Sequence, residues 1–298
     1  MNDIPCCPFS LWPLAFSLFI MPKHNKPFRK DQRRPQTQRP TFEIPRATGE
    51  VIYGRNAVRE ALRAKRRTLR GLLVAEGVRE GGPVAELIEL AQAASVAVEQ
   101  TPRDMLDQLM NGANHQGVAL RAGPYRYAEL DDMLALALER GEQPLLLLLD
   151  HLQDPQNIGT LLRTADVVGA HGVVLPDRRS ATITPAVVNA SAGAVEHLLI
   201  AQVTNLAQTI VDLKERNVWV AGLEDEPDAP VFDQQRWDLP VALVVGAEGP
   251  GLARLIKERC DFVVRLPMAG HVASLNAATA GSIALYSIWR SRERAGTA

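Results

Sequence analysis

Residues 145–150 read Leu-Leu-Leu-Leu-Leu-Asp, an apolar run with no polar alternation. A strand with one wet face alternates, whereas a parallel strand covered on both faces does not. The run therefore asks for a parallel sheet with helices on either side. The sequence after it supplies them: a helix pattern over 157–170, a strand at 172–176, a helix from Pro185, a strand at 198–203 and a helix over 206–216. Strands at 218–223 and 240–246, a helix over 252–260, a strand at 262–267 and a last helix from Asn276 to Arg290 complete the series. This predicts a parallel α/β domain over 143–298.

A smaller alternation precedes it. VIYG (51–54) reads as a strand and NAVREALRA (56–64) as a helix whose stripe is Ala57, Val58, Ala61 and Leu62, with Asn56 as its cap. Strands at 69–75, 96–100 and 116–122, with helices at 84–94 and 102–110, make a small α/β unit over 49–124. Pro124 and the polar, helix-like stretch to Glu142 read as a linker, 125–142. No internal repeat is evident.

The 298 residues carry a formal charge of −1, which excludes gripping a polyanion by bulk charge. The charge is uneven. Between Lys23 and Arg39 stand seven basic residues and one acid among Pro and Gln, so residues 1–48 read as a disordered N-terminal extension, a solvated leader or an RNA-grazing arm. The apolar run from Phe9 to Met21 is too short to span a bilayer and contains Pro13, and Asp3 rather than positive charge precedes it. It reads as neither membrane span nor secretory signal, and residues 1–20 as upstream sequence translated from an early start. Three cysteines make no disulfide framework or zinc site, which points to a reducing cytoplasm. The six histidines lack metal-ligand spacing and read as loop or surface residues; Trp219 and Trp289 read as core or interface.

Ligands of open parallel sheets sit at the carboxyl ends of strands. Three loops there stand out. GAEGPG (246–251) combines glycines with one carboxylate, letting backbone approach a ligand closely, yet it is neither a Walker loop nor a dinucleotide fingerprint. LPMAGHVASLNAA (266–278) takes an irregular path into the last helix, which Ser274 or Asn276 can cap. In DPQNIGTLLR (154–163), Asn157 can cap the helix, Gly159 marks close packing, and Arg163 is either solvated or recruited to hold an anion.

In that order, NIGTLLR (157–163), VVGAEGPGL (244–252) and LPMAGHVASLNAA (266–278) resemble the three motifs of the SpoU (TrmH-like) family of RNA 2′-O-ribose methyltransferases, of the SPOUT class. YGRNAVREAL (53–62) and NHQGVAL (114–120) resemble that family's accessory L30e-like substrate-binding domain, so the likeness runs from Val51 to about Arg292. The departures, LNAATA for a β-branched run and LPM for IPM, keep apolar volume. The resemblance implies a trefoil-knotted methyltransferase domain, a homodimer with sites near the subunit interface, and S-adenosylmethionine as methyl donor. Its implied substrate is a guanosine ribose of large-subunit (23S) ribosomal RNA. The implied cofactor residues are Gly246, Leu266 and Leu275, with Gly249, Met268 and Ser274; the implied catalytic set is Asn157, Arg163, Glu196, Glu248 and Asn276.

A ribose hydroxyl is a poor nucleophile that must lose its proton while held in line with the methyl group. A guanidinium stays protonated, which favours Arg163 as the group that holds the adjacent phosphate and steadies the oxyanion. Either Arg163 itself, phosphate-assisted, or Glu196 would accept the proton. Two other readings keep the domains but change the role: a transfer-RNA ribose as substrate, or RNA binding without turnover. A dinucleotide oxidoreductase lacks its glycine fingerprint.

Overall fold

The computed structural model describes residues 49–79, 81–178, 180, 182–271 and 274–296. The basic segment and the apolar run before it lie outside the described residues. The first elements are β1 (Glu50–Tyr53), α1 (Arg55–Ala64), β2 (Leu69–Ala75), α2 (Pro83–Ala93), β3 (Ala97–Thr101), α3 (Arg103–Leu109) and β4 (Val118–Ala122). They form a sheet ordered β1-β4-β2-β3, in which β4 runs antiparallel to β1 and β2, and β2 pairs parallel with β3. Ala57, Val58, Ala61 and Leu62 are buried along α1, as their spacing requires, but Gly54 rather than Asn56 stands at the helix N-cap.

The larger half contains α4 (Leu130–Arg140), β5 (Leu145–Asp150), α5 (Pro155–Val167), β6 (Gly172–Pro176), α6 (Pro185–Ala190) and β7 (Ile200–Val203). It continues through α7 (Leu206–Glu215), β8 (Trp219–Leu223), β9 (Val241–Gly246), α8 (Arg254–Arg259), β10 (Phe262–Val264) and α9 (Ala277–Gly296). Its sheet is parallel throughout, ordered β10-β8-β9-β5-β6-β7. The leucine run is β5, flanked by β9 and β6 and buried along its whole length. Its side chains alternate between two cores. Leu145, Leu147 and Leu149 join the core with α5 and α9 residues, while Leu146 and Leu148 join that of α4, α7 and α8.

The stretch 125–142 is not a free linker. Residues 130–140 form α4, closed by a capping box between Glu129 and Asp132 and by left-handed Gly141, with Met133 and Ala137 buried. Met133 belongs to the second core of the sheet, so the helix is part of the larger half. Leu130 and Leu134 pack against the same core, so the helix-like stretch is a helix as read but one with a buried side. The histidine reading also needs correction: His115 and His171 are buried, the first paired with Asp107 and the second accepting the Leu145 N–H at 3.0 Å. Trp219 is half exposed, not core. Among the described residues no helix is long and apolar enough to cross a membrane.

Candidate active site at the strand switch point

The strand order reverses between β5 and β9, where Asp150 pairs with Gly246 at their carboxyl ends. A crevice beside such a reversal is where open α/β sheets take ligands. Here it holds a cup of about 340 Å³, lined by the ends of β8 and β9, the loop 247–251, the segment around Leu266 and Met268, and the start of α9. Gly246, Gly249, Leu266, Met268, Ser274 and Leu275 all line it, as do Glu248 and Asn276.

The loop after β9 folds back on itself: the Gly251 N–H donates to the Ala247 carbonyl at 3.0 Å. A Cβ at Gly246 would lie 2.4 Å from the Gly251 carbonyl carbon and 2.5 Å from the Leu252 nitrogen, so only glycine admits this fold. Two carboxylates fasten the returning strand of the loop. Glu224 accepts the Leu252 N–H at 2.7 Å, and buried Asp150 accepts the Ala253 N–H at 2.7 Å while its other oxygen meets His151 Nδ1. Glu224 and its neighbour Asp225, both cup residues, were missed in the sequence although they follow β8 at its carboxyl end, the place where the strand rule directs attention.

At the rim three predicted residues meet. The Asn276 side-chain amide donates to Asn157 Oδ1 at 3.0 Å and to Glu248, and its oxygen accepts the Thr279 N–H at 3.1 Å, capping α9. Asn276 is thus held from both ends of its amide. Asn157 does not cap α5; Asp154 does, accepting from the N–H groups of Gln156 and Asn157, with Pro155 at the first helical position. That leaves the Asn157 side chain free to reach the rim. Among the described lining residues stand three carboxylates, Glu224, Asp225 and Glu248, with no lysine or arginine, so the cup suits a ligand carrying positive charge.

Known proteins share this architecture and its sequence. Residues 144–286 match the SpoU rRNA Methylase family, and residues 51–128 match the RNA 2′-O ribose methyltransferase substrate-binding domain. YacO of Bacillus subtilis, named as a TrmH-family tRNA/rRNA methyltransferase, is 45% identical over 83% of this chain and 98% of its own length. The chain belongs to the SpoU (TrmH) family of RNA methyltransferases. A Staphylococcus aureus member is 42% identical over 83% of the chain and 98% of its own length. The SpoU methyltransferase AviRb from Streptomyces viridochromogenes, solved with the cofactor AdoMet, superposes with a TM-score of 0.69 at 25% identity, covering 84% of this chain and 92% of AviRb.

In this SpoU methyltransferase two expected residues lie away from the cup. Arg163 sits six residues beyond Asn157, about 9 Å further along α5 and on another face. It lines a second cavity of about 540 Å³ with Thr160, Thr164, Ser282, Ile283 and Tyr286. The cavities are neighbours along α9, whose Ala277 and Ala280 face the cup and whose Ser282 and Ile283 face the second cavity. Glu196 is not brought to the site at all. Its carboxylate is buried against Arg67 of the smaller half, and the desolvation raises its pKa above the ordinary carboxylate range against the pull of that guanidinium. Glu196 is fully buried and does not line the cup.

Proposed function

We propose that this enzyme transfers a methyl group from S-adenosylmethionine to the 2′-hydroxyl of a guanosine ribose in 23S ribosomal RNA, in the cytoplasm and as a homodimer. The observation that carries the reading is the cup itself: a glycine-floored, carboxylate-lined recess with Asn157, Glu248 and Asn276 joined at its rim. S-adenosylmethionine supplies an electrophilic methyl group on a sulfonium whose positive charge disappears on transfer. Backbone at Gly246 and Gly249 and the side chains of Leu266, Met268 and Leu275 wall the methyl carrier from water, while the cup's carboxylates favour its cationic groups. Asn276 and Glu248 fix the rim, and Ser274 lines the cup. Arg163 holds the phosphate beside the target ribose and stabilises the oxygen while its proton passes by way of that phosphate to water.

The dimer reading rests on the surface around Arg163. Val167, Ile283 and Tyr286 are 66%, 43% and 48% exposed and flank it on α5 and α9, an apolar face beside a guanidinium. A second copy seated there would place Arg163 at the seam, next to the mouth of the cup. The double variant Ile283→Asp/Tyr286→Arg is expected to halve the mass seen by multi-angle light scattering at micromolar concentration; an unchanged mass would remove this face from the dimer.

The function itself is tested by mapping ribose methylation in ribosomal and transfer RNA from cells with and without the gene. One guanosine ribose of 23S RNA is expected to lose its mark. Loss of a transfer-RNA mark instead would change the substrate, and no lost mark would refute the activity.

A further inference from the structure

Glu196 ends the stretch SAGAVE (191–196), which the catalytic reading leaves without a role. The structure places this turn under α1 of the substrate-binding half. Gly193 has φ +90° there, and a Cβ on it would lie 2.6 Å from the Glu60 Cβ and 3.1 Å from the Ala57 Cα. The small residues of the turn therefore let one half lie directly on the other.

Around this contact several polar groups cross between halves, and Arg67 is also held within its own half by Glu50. Arg67, with 1% of its side chain exposed, donates from Nε to Glu196 Oε2 at 3.1 Å, and its Nη2 lies 2.8 Å from Glu196 Oε1, off the hydrogen-bond direction. Its Nη1 meets Glu50 at 2.6 Å, and its guanidinium stands 4.9 Å from the centre of the Tyr125 ring. The Tyr125 hydroxyl donates to the Leu198 carbonyl at 2.9 Å; Asn189 donates to the Tyr53 carbonyl at 3.0 Å; His197 pairs with Glu60 at 2.9 Å.

A buried ion pair adds little net stability, because desolvation offsets its attraction, but separating its partners leaves both charges buried and unpaired. That cost would fall on any docking geometry that parts Arg67 from Glu196. Interfaces between domains of one chain permit relative motion unless they are large and apolar; here Ala57 and Val58 share one buried cluster with Val187, Val188, Val195 and Leu198, and the ion pair sets the register of that apolar contact. Here the start of the turn also packs on the helix of Asn157 and Arg163: a Cβ on Gly159 of α5 would lie 2.8 Å from the Ser191 nitrogen.

We propose that Arg67 and Glu196 are specificity-determining positioning residues: their buried pair fixes the substrate-binding half at a set distance from the methyl cup, so that the ribose at that distance is the one modified. This rests on the RNA methyltransferase reading above. Within the smaller half the start of α1 is tied to the loop before β4, since Arg55 N–H donates to Gln116 Oε1 at 3.0 Å and its Nε to the Gln116 carbonyl at 3.2 Å. A latched molecule therefore measures from the start of α1 and the loop 114–117 to the cup.

The test uses the full chain with Arg67→Met, Glu196→Gln and the double variant Arg67→Met/Glu196→Leu. The double variant removes both charges together and so folds even where a single change does not. Small-angle scattering is expected to show a broader interdomain distance distribution in each. The KM for 23S RNA should rise about tenfold with kcat within about twofold, and sequencing should find methylation spread to neighbouring riboses. Retention of a narrow distribution and of single-site methylation in the double variant would overturn the proposal. So would a fall in kcat for Glu196→Gln that Arg67→Met does not share, since that marks a chemical role for Glu196. Calorimetric titration of S-adenosylmethionine should give the same affinity in every variant. Absence of binding to the unaltered chain would sink the methyltransferase reading alone and leave the scattering to decide the latch.

Discussion

Replacing Arg163 by alanine is expected to reduce methyl transfer by at least about a hundredfold, the scale seen when one preorganised group that stabilises a developing oxyanion is removed. The cofactor affinity should not change, because Arg163 lines the second cavity and none of the cup residues is displaced by its loss. Single-turnover transfer of labelled methyl to 23S RNA separates the two quantities from calorimetric binding. Arg163→Lys should recover little of the rate: a flat, forked guanidinium can bind phosphate through two parallel hydrogen bonds, and an ammonium cannot. Because Arg163 is exposed on each protomer, its loss should leave the fold of the single chain intact, with an unchanged far-UV circular dichroism spectrum. A variant that transfers methyl groups within about threefold of the unaltered enzyme would show that the charge near the ribose comes from another residue.

What was legible in the sequence is what depends on neighbours in the chain. The leucine run required burial on both faces, and β5 lies between two strands with a core on each side. The strand-end rule pointed to the loops after β9 and before α9, and both line the cup. The readings that failed depend on partners far away in sequence. Glu196 belongs with Arg67, 129 residues earlier, and no spacing pattern links a turn in one half to a loop in the other. The helix of 130–140 read as linker because its buried side is narrow and its partners, in the sheet it covers, come later. Asn157 read as a cap because Asn is a good one; Asp154 and Pro155 together make a better start, and the choice between them is settled by the reach of Asn276, 119 residues on.

The floor of the cup gives the second large effect. Gly246→Ala should weaken S-adenosylmethionine binding by about a hundredfold or more, about 2.7 kcal/mol. The added carbon would meet main-chain atoms of Gly251 and Leu252 at 2.4–2.5 Å, and backbone cannot rotate aside as a flexible side chain can. The loop must therefore shift, but its far side is tied by Glu224 to Leu252 and by Asp150 to Ala253. Movement would break one of these hydrogen bonds or push Glu248 away from Asn276, and either change distorts the wall or the rim. Only the loop is strained, so far-UV circular dichroism should stay native while the calorimetric signal fades. Gly249→Ala is the paired comparison: its added carbon meets nothing within 4 Å, and the cost there comes only from a φ of +82°, so its loss of affinity should be the smaller of the two. Equal affinities for both variants and the unaltered enzyme would mean that the methyl carrier does not sit on this floor.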